Sequence, residues 1–162
     1  MEPLTIDAAM QVADDLRPDD VVELEATMGR GFDRLRWASD LVAIDGAEQW
    51  SWSVDGVATA LCGFVPNTPG ACNCWYVSTL DTRDVQLRSR IHLDCMRILQ
   101  SWRQRSVVRF WAIADPRNVA GTSWLHRLGF RSEGLHRRAG IQGEDLTTMA
   151  WVEGMPAPWE SR

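Results

Sequence analysis

Cys74-Trp-Tyr-Val-Ser-Thr-Leu80 and Val107-Val-Arg-Phe-Trp-Ala-Ile-Ala114 are two short apolar runs rich in β-branched and aromatic residues, and each predicts a buried strand. Between them, Asp84 to Arg105 places Val85, Ile91, Cys95, Ile98, Leu99 and Trp102 on one face at helical spacing. A strand, a long helix and a strand in that order predict a parallel pair with a right-handed crossover.

Downstream, Asp115-Pro116-Arg117-Asn118 supplies a helix start that should run to Leu128, with Gly129 as its stop. Two further strands follow, about Phe130 to Ala139 and Asp145 to Val152. Upstream, Glu48 to Val54 alternates, Asp55-Gly56 is a two-residue hairpin signal, and Val57 to Val65 returns as an apolar strand. Pro66 to Asn73 reads as loop. Before the hairpin come three helices: Thr5 to Asp15, one beginning near Pro18 with Val21, Val22, Leu24 and Met28 as its apolar side, and about Phe32 to Ala43. The order α, α, α, β, β, β, α, β, α, β, β implies an α/β fold of the α+β type. Its sheet is mixed and mostly antiparallel, with one central parallel pair.

The 162 residues suit one domain, with a helical part over 1–45, the sheet over 46–152 and a tail over 153–162. No apolar run approaches the ~20 residues of a membrane-spanning helix, and the first residues are acidic, so the chain reads as a cytoplasmic protein with no membrane partner. Four cysteines without a leader read as reduced thiols, and Cys72-x-Cys74 lacks the second pair that zinc requires. All 17 basic residues are Arg, which excludes lysine Schiff-base chemistry. Residues 1–60 hold 13 acids against four Arg, net −9, whereas 83–138 hold 12 Arg against four acids, net +8. An anionic partner would meet the second half. Nucleic acid is the generic reading of that half, and a small phosphorylated ligand suits the dispersed Arg as well.

The stretch Asn118-Val-Ala-Gly-Thr-Ser-Trp-Leu-His-Arg-Leu-Gly-Phe130, between a strand ending at Asp115 and a further strand, resembles a segment of the GNAT N-acetyltransferase family. The resemblance covers about Gln49 to Val152. It implies a GNAT-like domain whose parallel strands splay apart around acetyl-CoA, with helices on both faces, transferring an acyl group to an amine acceptor. Leu16-Arg-Pro-Asp-Asp20, Gly63-Phe-Val-Pro66 and Trp124 to Phe130 are also similar to small bacteriophage GNAT-like proteins that include virion-assembly proteins. That similarity implies an infected host cell or the virion as the location. It also leaves open a non-catalytic reading, with a phage or host protein as partner.

By the resemblance, the cofactor lies along Val77, Ser78 and Thr79, meets Arg83, Asp84, Val85 and Arg88 at the helix start, and reaches Asn118. The family's glycine-rich phosphate loop is missing, since Leu80 to Arg90 contains no glycine, and Asp81 and Asp84 would cap the helix themselves. The family's acid is a Tyr five residues before the Phe of Gly-Phe, and that position is Leu125. The remaining proton-transfer candidates are Tyr76, Asp81 and Ser123, with Cys74 and Ser78 behind them. His92 and His126 read as rim or surface residues, and Trp50 and Trp52 as either core or an exposed contact patch.

Overall fold

The computed structural model describes residues 1–28, 31–79 and 84–154. Seven strands form one sheet in the order β1-β2-β3-β4-β5-β7-β6. They are β1 (Glu2–Pro3), β2 (Glu48–Val54), β3 (Val57–Thr68), β4 (Ala71–Ser78), β5 (Arg109–Ala114), β6 (Arg131–His136) and β7 (Leu146–Val152). The helices are α1 (Ile6–Asp14), α2 (Pro18–Met28), α3 (Arg34–Val42), α4 (Val85–Gln104) and α5 (Val119–Arg127). Every pairing is antiparallel except β4 with β5. No helix among the described residues is long and apolar enough to cross a membrane.

The hairpin of β2 and β3 closes at Asp55 and Gly56, both at positive φ (50° and 82°), as a two-residue turn matched to strand twist requires. The stretch 66–73, expected to be loop, is a second hairpin. β3 runs on to Thr68, β4 starts at Ala71, and Pro69-Gly70 makes the turn with Gly70 at φ 84°. A register shift between Pro66 and Thr68 absorbs the proline, which has no N–H to give a ladder.

That longer β4 carries the parallel joint. Only Ala71↔Arg109, Cys72↔Phe110 and Asn73↔Trp111 pair, and from Cys74 onward the strands separate. At the vertex the Asn73 side-chain amide donates to the Trp111 carbonyl at 3.3 Å. The expected parallel neighbours are therefore present, but their pairing lies at residues 71–73, and 74–78 is the splayed arm.

Two apolar clusters cover the two faces. Cys62, Phe64, Cys72 and Phe110 pack with Ile91, Cys95 and Leu99 of α4, and Leu61 and Val77 pack with Ala9, Val12, Trp37 and Leu41 of α1 and α3. Trp52 is 1% exposed and donates its indole N–H to buried Asp94 at 3.0 Å, and Trp50 packs against the α4 side, so neither forms an exposed patch. On α2 the expected apolar side holds at Leu24 and Met28, which pack against the α1–α3 cluster, but Val22 is 44% exposed and the most buried residues are Asp20 and Ala26.

Gly63 faces Trp75 across the β3–β4 ladder, and a Cβ there would stand 2.2 Å from the indole nitrogen. Gly63→Ala should therefore push the ring off β3 and cost ~1–3 kcal/mol, as overpacking does. Denaturant unfolding and near-UV circular dichroism check this, and an unchanged midpoint would contradict it.

Candidate active site

A cleft of about 1170 Å³ occupies the splay. On β4, Cys74 and Tyr76 pack with the α4–α5 cluster and Trp75 and Val77 with the α1–α3 cluster, and all four line the cleft. Since alternate residues of a strand face opposite sides of a sheet, the cleft passes through the sheet between β4 and β5.

The carboxyl ends of the splayed strands are tied together by α2. Asp20 Oδ2 accepts the Ser78 N–H at the end of β4 at 2.9 Å. One turn on, Glu23 Oε2 accepts the Asp115 N–H just beyond β5 at 3.0 Å and the Asn118 amide at 3.3 Å. Residues three apart on a helix share a face, so two carboxylates of one helix hold both strands. Arg17 completes the tie: its N–H donates to the Ser78 carbonyl at 3.1 Å, and its guanidinium stands 3.8 Å from Asp20.

The electrostatics follow from burial. Desolvation pushes the Glu23 carboxyl up to about 7, against the hydrogen bonds from Asp115 and Asn118 that pull it down. Asp20 is also raised by burial, with Arg17 opposing. Asp115 lies below the ordinary range because the Arg117 guanidinium bonds it. Burial pushes Tyr76 well above the usual phenol range, so its hydroxyl, hydrogen-bonded with Ser78, stays protonated. The Tyr76 ring lies against Trp124 of α5 at 4.6 Å between centroids. His92 is pushed down by burial and by Arg127, which leaves a neutral imidazole at the cleft wall.

Of the residues singled out in the sequence, Tyr76, Val77, Val85, Arg88 and Asn118 line the cleft, and Cys74 does too. Ser123 does not: α5 turns Ala120, Gly121, Trp124, Leu125 and Leu128 inward, and the 100° step per residue carries Ser123 away. Ser78 and Thr79 are buried, and their N–H groups go to Asp20 and to the Thr59 carbonyl. Asp84 caps α4, accepting from Gln86 N at 2.6 Å and Leu87 N at 3.4 Å. Asp81 and Arg83 lie outside the described residues. Asn118 caps α5 through Gly121 N at 3.0 Å while its amide holds Glu23. His126 is exposed and bonds the Phe130 carbonyl at 3.0 Å. Asp20 and Glu23 were missed, and their spacing of three on an acidic helix was the available signal.

No family model matches the chain, and no curated protein matches its sequence. Solved structures do match. A ribosomal-protein-alanine N-acetyltransferase from Brucella melitensis superposes with a TM-score of 0.69 at 16% identity, over 93% of this chain and 98% of that one. The fold is that of the GNAT acetyltransferases. A probable GNAT-family acetyltransferase from Chromobacterium violaceum gives 0.69 at 19% identity, over 94% and 86% of the two chains. RimL, a ribosomal α-N-protein acetyltransferase in complex with coenzyme A, gives 0.65 at 12% identity, over 93% and 92%.

In this GNAT fold the splayed arm of β4 fits the slender arm of an acyl-CoA. Ser78 turns its N–H and C=O toward the gap, to Asp20 and Arg17, and the two-residue period of the strand aims those of Tyr76 the same way. The phosphate end has no glycine cradle, and Asp84 already caps the first amides of α4. Arg88 and Arg127 line the cleft and make no ion pair among the described residues, so guanidinium groups are the cations present for phosphates.

Proposed function

We propose that the protein is an acyl-CoA-dependent N-acyltransferase that acetylates an amine. The observation that carries this reading is Glu23, a carboxyl poised at about 7, set by α2 at the open end of a splay that reaches both faces of the sheet. A base of that pKa is matched to removing a proton from an ammonium near neutral pH. When bound, acetyl-CoA supplies a thioester-activated acyl group. Arg88, Val85 and Arg127 would hold its phosphate end and the inner edge of β4 its arm. Glu23 accepts the proton of the acceptor's ammonium. Tyr76 keeps a proton on its hydroxyl for the departing sulfur, in place of the side chain absent at Leu125. The cleft positions the two reactants, which supplies much of the rate in a reaction between a good acyl donor and a free amine.

Turnover should be modest, because the raised Tyr76 is a weak acid and Leu125 donates nothing. Tyr76→Phe is expected to lower kcat about 10²-fold, the low end for general acid help, and Leu125→Tyr to raise it. A robust wild-type rate that Tyr76→Phe leaves intact would overturn this assignment. The segments Gly63–Pro66 and Trp124–Phe130 support a bacteriophage source and action in the infected cell.

A second reading, a GNAT fold used in assembly or protein binding, is favoured by the Asp84 cap where the family places amides for phosphate. Thermal-shift titration with acetyl-CoA separates the two: a concentration-dependent rise supports the enzyme, and no rise with no turnover supports the second reading. Four Arg residues of the basic half, Arg97, Arg105, Arg109 and Arg117, pair with the protein's own acids, which argues against nucleic acid.

A further inference from the structure

The half of the cleft that lies on the α2–α3 side of the sheet has two parts of opposite character. Its inner end, at the gap, is the carboxylate pair of Asp20 and Glu23. Its body is apolar: Leu24 and Met28 come from α2, Trp37, Leu41 and Ile44 from α3 and the turn after it, and Trp75 from β4. The Trp75 indole lies flat over Gly63, with its N–H buried and without a hydrogen-bond partner, so it presents ring and not donor to the chamber. Asp40 stands on the same side, 3.7 Å from Arg36. The cleft-lining guanidinium groups without an ion pair among the described residues, those of Arg88 and Arg127, belong to the opposite, α4–α5 side.

A ligand that satisfies both parts carries an ammonium at one end and a bulky apolar arm at the other. It carries no carboxylate beside the nitrogen, because that group would be driven against Asp20 and Glu23 with only Arg17 to answer it. A small polar amine would leave the half-buried Trp75 ring and the Leu24, Met28 and Ile44 side chains against water, with buried Trp37 and Leu41 backing them. We infer that the acceptor is a primary amine with a large apolar or aromatic arm and no neighbouring carboxylate. This rests on the acyltransferase reading for its chemistry, while its binding geometry is independent of turnover.

Three probes test it on the full chain: tryptamine, tryptophan, and 2-methoxyethylamine. Thermal-shift and calorimetric titration, without acetyl-CoA, should show tryptamine binding at least tenfold more tightly than either of the others. Met28→Arg, which sets a cation in the chamber, should abolish the tryptamine shift while its own melting temperature reports that it has folded. Equal binding of the three, tighter binding of tryptophan, or no binding of tryptamine overturns the inference. Turnover with acetyl-CoA is scored separately. Preferential tryptamine binding with no transfer of acetyl leaves the chamber's specificity standing and removes the acyltransferase reading. Transfer to all three at equal kcat/KM keeps the enzyme and removes the specificity.

Discussion

Glu23→Gln is expected to lower kcat about 10²–10⁴-fold, the range for loss of a general base, and at the same time to make the protein more stable at alkaline pH. The amide oxygen of Gln still accepts the Asp115 N–H, so the tie to β5 is kept while the proton acceptor is lost. The stability arm follows from linkage. The carboxyl is raised from 4.5 to about 7 by burial, so between those values the folded chain holds a proton that the unfolded chain has released. Wild-type stability therefore falls as pH rises through that window, by about 3 kcal/mol in all at 1.36 kcal/mol per unit. Asp20, raised in the same way, adds to the fall, whereas the depressed Asp115 acts only below its ordinary 3.8 and leaves the window untouched. Urea unfolding from pH 5 to pH 8 should slope downward for wild type and much less for Glu23→Gln, and kcat/KM for wild type should rise with an apparent pKa near 7. Parallel stability profiles for the two proteins would show that Glu23 titrates as it does in water.

Phe110→Ala is expected to remove ~3–5 kcal/mol of stability, which for a domain of this size lowers Tm by roughly 10 °C. The ring is fully buried, stands edge-on to Phe64 at 6.4 Å and packs 5.5 Å from Trp151. It also sits opposite Cys72 in the middle of the one parallel pairing among the described residues. Truncation leaves a cavity at the joint of the sheet, where neighbours from both antiparallel halves would have to move to fill it. Denaturant unfolding measures the loss, and a value under 1 kcal/mol would mean that the joint collapses without cost.

Much of the architecture was legible because it is local. Asp55-Gly56 between alternating segments names its own turn, and the apolar runs on either side of α4 name a crossover. Thr68-Pro-Gly-Ala71 was equally local, since Pro-Gly is a turn signal, but Pro66 and Asn67 drew the whole stretch into a loop. That error displaced the parallel pairing, because the paired residues are the ones read as loop. The site was less legible for a different reason. Tyr76 and Asn118 could be picked by type and place, but Asp20 looks like an ordinary first-turn acid and Glu23 like an ordinary acid one turn further along an acidic helix. Only the return of α2 across the ends of β4 and β5 buries them, and that is a contact between residues 58 and 92 positions apart. On α2 periodicity placed Leu24 and Met28 correctly and erred at Val22, which faces water while Asp20 turns to the gap.

The joint at 71–73 makes the sheet a book with a very short spine. One leaf, β1 to β4, and the other, β5 to β7, are each stitched by antiparallel ladders, and among the described residues three ladder pairs join them, beside the Gly70 carbonyl that takes the Val108 and Arg109 N–H groups. Changing the angle between the leaves breaks no ladder bond beyond that spine. The α2 carboxylates act as a clasp at the far edge, so the softest deformation of the sheet is a scissoring about Cys72 and Phe110 that the clasp restrains. Amide exchange would register it as early opening at Ser78 and Asp115, whose hydrogens are held by side chains, while the amides within each leaf stay closed.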